Sequence, residues 1–203
     1  MPHIDGIPVP EQFVRVRVNA PTLAATKAIT GATNASPIVI TSNGHGYSNG
    51  DLILVAGVEG NTAANGWRLV ANKTANTYEI TTLAGINVAG NGAYTQNGTS
   101  AKASSATAGL VSSRSIHLVK VRLNNTTGGA ITFNLTDNLS GSTSVSGPNY
   151  RYQGFSVAAN TAPSPNPPEG FHPPELCEEG AVFYASATGL EVTVEGWRRP
   201  NFT

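Results

Sequence analysis

Glycine, proline or asparagine breaks this chain every few residues, and between the breaks the apolar residues recur with a period of two. Both facts work against helices. A helix shows apolar positions three and four apart over ten or more residues, and the 22 glycines and 13 prolines leave few such windows. "FVRVRVN" (13–19) alternates Phe13, Arg15 and Arg17 with Val14, Val16 and Val18, so valines line one strand face and arginines the other. "SPIVITS", "DLILVAGV", "WRLVAN" and "TYEITTL" follow at short intervals, each bounded by Gly, Asn or Pro. Short strands with turn residues between them predict an all-β protein of barrel or sandwich type.

A second strand series starts after "AKASSATAGLVSSRS", a small, polar stretch read as a linker or extended connection. "IHLVKVRLNN" places His117, Val119, Val121 and Leu123 on one side and Leu118, Lys120 and Arg122 on the other. "NTTGG" reads as a hairpin turn into "AITFNLTDN", which puts Ile131, Phe133 and Leu135 on one face. "GFSVAANT" is a further strand, "AVFYASAT" and "LEVTVEGW" close the series, and the count fits a β-sandwich or jelly-roll-like unit. Because "FVRVRVN" and "IHLVKVRLN" share a pattern, the first strand is expected to join this second unit, making the intervening barrel an insertion. The expected boundaries are 1–27 for the N-terminal arm and strand, 28–100 for the barrel, 101–112 for the linker and 113–203 for the sandwich.

Charge and cysteine content narrow the chemistry. Only 12% of the 203 residues are charged and the formal net charge is zero, so no long-range field gathers nucleic acid or an anionic membrane. Neither is expected as a partner. Cys177 is the single cysteine, which excludes an intrachain disulfide framework and a Cys-rich zinc site. The start "MPHIDGIPVPEQF" has neither the basic end nor the apolar run of a secretion signal, and a protein made in the cytoplasm is expected.

"SNGHGYSNGD" (42–51) is the nearest thing to a functional motif. It lies within a stretch from Ile29 to Thr99, "ITGATNASPIVITSNGHGYSNGDLILVAGVEGNTAANGWRLVANKTANTYEITTL" ending in "GNGAYTQNGT", that resembles the FCCH-like module. That module is named after a half-domain of ubiquitin-activating enzyme and is found widely in bacteriophage structural proteins. The matching pattern is a proline before a β-branched strand, then H-G-x-x-x-G-D, an apolar strand, G-V-x-G, N-G and a closing T-Y-x-I strand. Tyr47 stands where the family usually has leucine, and Trp67 follows Asn65-Gly66 where a smaller polar residue is common. The resemblance implies a small β-barrel without catalysis. The residues agree with it: Gly44, Gly46 and Gly50 give a compact loop its backbone freedom, Asp51 can accept from loop amides, and His45 becomes a turn residue packed on the barrel rim or bonded to backbone.

Other candidate sites read as structural. "FHPPELCEE" offers His172, Glu175, Cys177, Glu178 and Glu179, but the spacing matches no standard metal site, and no metal or cofactor is expected. No glycine-rich phosphate loop precedes a helix. A sugar site would need an exposed aromatic platform; Trp67 and Trp197 lie in different expected domains and read as core or interface residues. Arg15 and Arg17, with Lys120 and Arg122, project from strand faces, while Glu169, Glu175, Glu178 and Glu179 crowd a later loop. Those charges fit contact between copies or with a neighbouring protein, and equally fit solvated strand faces.

The second half also looks, more loosely, like the small β-sandwich proteins of tailed-phage virions. Together these readings predict a non-enzymatic virion structural protein. Capsid decoration comes first, with the sandwich holding the shell and the barrel projecting outward, and a tail, tail-tip or baseplate protein is the alternative. A carbohydrate-binding adhesin with a host-surface glycan as ligand is the third reading. The expected partners are the major capsid protein or tail proteins, and a homo-oligomer is expected. The contact residues singled out are Arg15, Arg17, Lys120, Arg122, Phe171 in the proline-rich loop, and Trp197, Arg198 and Arg199 near the C-terminus.

Overall fold

The structure is a computed structural model and describes residues 3–4, 7–8, 12–104, 110–112, 116–137, 149–159, 175–177 and 181–198. Among these residues the chain is all-β; its one helical element is a 3-10 turn at Thr62–Ala64. A two-strand pair, β1 (His3–Ile4) and β2 (Ile7–Pro8), precedes the long strand β3 (Gln12–Asn19).

The first globular unit is built from β4 (Lys27–Ala28), β5 (Gly31–Ala32), β6 (Val39–Thr41), β7 (Leu52–Ala56), β8 (Gly66–Ala71), β9 (Thr77–Thr81) and β10 (Thr99–Lys102). They form one curled antiparallel sheet in the order β4-β10-β7-β8-β9-β6-β5. The two ends of that order, β4 and β5, are successive pieces of the single segment 27–32. Its first half pairs with β10 and its second half with β6, and the backbone bonds Ile29 N–H to Gly98 O and Thr30 N–H to Thr41 O continue the join. The curl therefore returns on itself, which protects both edges. Ile38, Ile40, Ile53, Val55, Val58, Val70, Tyr78 and Ile80 fill the interior.

The second unit contains β11 (Leu110–Ser112), β12 (Ile116–Asn125), β13 (Ile131–Asp137), β14 (Asn149–Val157), β15 (Glu175–Cys177), β16 (Ala181–Ala185) and β17 (Leu190–Arg198). Two four-stranded sheets result, β11-β16-β13-β14 and β15-β12-β17-β3. β3 pairs antiparallel with β17 from Asn19↔Glu191 to Gln12↔Arg198, so the barrel is an excursion of the chain between β3 and β11. One apolar cluster joins the sheets: Val121, Leu123, Val192 and Val194 from one, Ile131, Phe133, Leu135, Phe183 and Ala185 from the other.

Two local readings change. The "NTTGG" turn is not a hairpin, because β12 and β13 lie in different sheets. Its shape is set by Asn125, a fully buried side chain whose Nδ2 donates to Gly129 O (2.8 Å), Val157 O (3.1 Å) and Ala158 O (3.0 Å), while its Oδ1 accepts from Thr127. Those bonds tie the end of β12 to the end of β14 in the facing sheet, and so direct the chain across the sandwich. The 101–112 linker is shorter at both ends. Ala101 and Lys102 complete β10 against β7, with Ala101 buried, and Leu110–Ser112 pair with β16; 105–109 lie outside the described residues.

β7 shows how the two units are joined. Its sequence "LILVA" does not alternate apolar with polar because both faces are buried. Ile53 and Val55 enter the barrel interior, whereas Leu52 and Leu54 join Trp67, Leu83, Ala103 and Val182 in a second cluster. Leu54 and Trp67 are cross-strand partners, and the Trp67 ring meets Tyr184 edge-on at a centroid distance of 5.8 Å. Val182 and Tyr184 lie on the face of β16 opposite Phe183 and Ala185. The barrel is thus packed on the outer face of the β11-β16-β13-β14 sheet. Replacing Trp67 with Ala should cost about 3–5 kcal/mol in urea unfolding, and the single transition should split as the two units unfold separately. A loss below about 1 kcal/mol, the scale of an ordinary surface substitution, would show that this ring does not couple them.

Candidate functional site

Two places merit the name of a candidate site: the H-G-x-x-x-G-D loop and the outer face of the β15-β12-β17-β3 sheet. In the loop, Gly44, Gly46 and Gly50 have φ of 57°, 72° and 86°, and this left-handed backbone folds the chain around His45. The His45 ring is 3% exposed and packs against Tyr47 and Tyr78, with centroids 5.0 and 4.9 Å away. Its Nδ1 accepts the Tyr47 backbone N–H at 3.0 Å, which assigns the proton of the neutral ring to Nε2. Nε2 is buried without a hydrogen bond among the described residues.

That arrangement ties the His45 ring to the loop backbone and to the two tyrosines. Asp51, the one carboxylate close in sequence, is occupied: one oxygen accepts from Ser48 N–H at 2.7 Å and the other meets Lys102 Nζ at 2.8 Å. The buried Ser100 hydroxyl is held by both phenols, Tyr47 Oη and Tyr78 Oη, each at 3.0 Å. A catalytic histidine must reach a substrate proton, and this one is enclosed by rings. The loop is a structural plug at the barrel end.

Burial pushes the Tyr47 and Tyr78 phenols above their ordinary value near 10, against a smaller opposing effect of the Ser100 hydrogen bond. The sign of the consequence follows. Below about pH 10 both phenols are neutral folded or unfolded; above it the unfolded phenols ionise while the folded ones keep their protons, so the unfolded state binds fewer protons and stability falls. Urea unfolding should therefore show stability declining as pH rises above about 10. The decline should be shallower in Tyr47→Phe/Tyr78→Phe; equal slopes would exclude these phenols as its source.

The sheet face is different. β17 runs between β3 and β12, and its period-two pattern sends Val192 and Val194 into the core and Glu191, Thr193 and Glu195 outward. The register aligns Arg17, Thr193 and Arg122 in one row and Arg15, Glu195 and Lys120 in the next. Two arginine-bearing strands far apart in sequence thereby share one face. Arg17 donates to Glu191 at 3.0 Å and Arg15 lies 3.4 Å from Glu195; both arginine side chains stay more than half exposed. These basic residues thus find acidic partners within their own sheet, a pairing foreshadowed by the E-V-T-V-E pattern of "LEVTVE", which the sequence reading treated only as a strand. Arg15, Arg17, Arg122, Asn124, Glu191 and Thr193 line a shallow hollow of about 130 Å³.

Trp197 and Arg198 continue β17, paired with Phe13 and Gln12. Phe171 and Arg199 lie outside the described residues, as do His172, Glu178 and Glu179. Among the described residues no three His, Cys, Asp or Glu side chains come together. Trp67 is 0% exposed and so offers no face on which a sugar could stack. Sequence reasoning also passed over Arg68, 2% exposed, whose guanidinium donates to the carbonyls of Trp67, Ala63 and Asn65 and closes the 3-10 turn. Its place in a strand row gave no hint of that. Arg68→Met should lower stability by about 3 kcal/mol, since it strands buried carbonyls; an unchanged urea midpoint would mean that water replaces the guanidinium there.

No known protein family matches this chain, and no curated protein matches it.

Proposed function

We infer that this chain is a non-enzymatic structural component of a tailed-phage virion, with capsid decoration as its first assignment. The observation that carries the reading is the two-ended build. The barrel packs on the outer face of one sheet of the sandwich, and the charged surface carrying Arg15, Arg17 and Arg122 lies on the outer face of the other. A protein of this kind can hold a neighbour with one end while the other projects away. Two further points support it: the resemblance of Ile29–Thr99 to the FCCH-like module of phage structural proteins, and the enclosure of His45 in an aromatic plug.

The charged face is the natural contact surface in this reading. Exposed ion pairs such as Arg17–Glu191 contribute only about 0–1 kcal/mol to a fold, so Arg15→Ala/Arg17→Ala should leave the melting temperature within a few degrees. The same variant should release the protein from particles. Retention of that variant, with release by Phe171→Ala plus deletion of residues 198–203, would move the contact to the proline-rich loop and C-terminus. Gold labelling of the protein on purified particles tests the assignment itself: label over the shell is expected, label confined to tails makes it a tail protein, and absence from particles overturns the virion reading.

A further inference from the structure

The hollow on the sheet face has a specific deficit of charge partners. Arg15 and Arg17 each have a glutamate from β17. Arg122, on the other flank of Thr193, has no ion pair or hydrogen bond from the described residues, and its Nε is buried and unpaired. A guanidinium N–H withdrawn from water without an acceptor is costly, and Arg presents its donors in a planar fork suited to two coplanar oxygens.

We propose that this hollow is a carboxylate-binding site in which Arg122 receives a Glu, Asp or C-terminal carboxylate of a neighbouring protein chain, with Thr193 as its floor and Arg17 opposite. Three observations select that ligand. At about 130 Å³ the space is well below the roughly 300 Å³ at which small-molecule pockets begin, and it suits a side-chain head group. Glu195 and Glu191 offset the charges of Arg15 and Arg17, which leaves the single charge of Arg122 for a ligand, and one carboxylate balances it. Asn124 on the rim adds an amide to the lining. The proposal rests on reading this face as a contact surface, and it gives that contact its chemistry: one acidic side chain of the partner enters beside Thr193 and answers Arg122, which the described residues leave without an acceptor.

The site can be tested on the isolated full chain, without particles, so failure here leaves the virion reading standing, and absence from particles leaves this test unaffected. In ¹⁵N-labelled protein the Arg122 Nε–H signal is identified by its loss in Arg122→Gln, or in Arg122→Lys should the first variant fail to fold. Sodium acetate is titrated at constant ionic strength against chloride, and inorganic phosphate is titrated in parallel. The expected result is a saturable shift of the Arg122 signal with acetate, larger than the shifts of Arg15 and Arg17, with phosphate saturating no lower than acetate. An acetate shift that stays linear or absent overturns the site. Phosphate saturating the signal at lower concentration than acetate overturns the choice of a protein carboxylate and makes the hollow a phosphate site.

Discussion

Everything in this fold depends on β17 finding β3 on one side and β12 on the other. That pairing joins a strand near one end of the chain to a strand near the other, and residues 20–104 between β3 and the next segment must leave the sandwich and return. The barrel is what that excursion folds into. The same pairing decides the two faces of the sheet: the valines of β17 enter a core shared with Phe133 and Phe183, and each fully buried Val or Leu contributes about 1.5–3 kcal/mol. The glutamates are left on the far side, where among the described residues they pair with Arg15 and Arg17 of β3.

β7 plays the corresponding part between the two units. With Ile53 and Val55 inside the barrel and Leu52 and Leu54 outside it, one strand is shared by two cores, and the barrel is held against the sandwich by packing rather than only by the chain that leads into it. Buried polar groups then fix the corners. Asn125 turns the chain from one sheet to the other, Arg68 gathers three carbonyls of a tight turn, and Ser100 holds two phenols at once. Asn125 and Ser100 are polar groups enclosed with their partners supplied, the condition under which burial is tolerated.

The division of labour between the two candidate sites follows from solvent access. The glycine-rich loop holds the most suggestive residues in the sequence, yet its histidine is walled in by Tyr47 and Tyr78. The sheet face gathers residues from three strands and presents an arginine with unmet hydrogen-bonding capacity beside a hollow.

The sequence by itself determined the strand character of the chain, because a period-two pattern cut by Gly, Pro and Asn admits little else. It also determined the local conformation of the H-G-x-x-x-G-D loop, since glycine alone adopts those backbone angles freely. Two positions that stand out in the primary structure, Tyr47 and Trp67, turn out to be one wall of the aromatic plug and the hinge of the barrel–sandwich contact. What only the tertiary structure decided was long-range partnership. A turn such as "NTTGG" is the same string whether it joins neighbours in a sheet or crosses between sheets, and the choice fell to Asn125 reaching Val157, more than thirty residues away. Likewise the shared pattern of "FVRVRVN" and "IHLVKVRLN" assigns their arginines to one unit but not to one face beside a common strand. Strand pairing is non-local, the face a residue shares is set by register with a strand it has never met in sequence, and so the charged surface came into being only when β17 was placed between them.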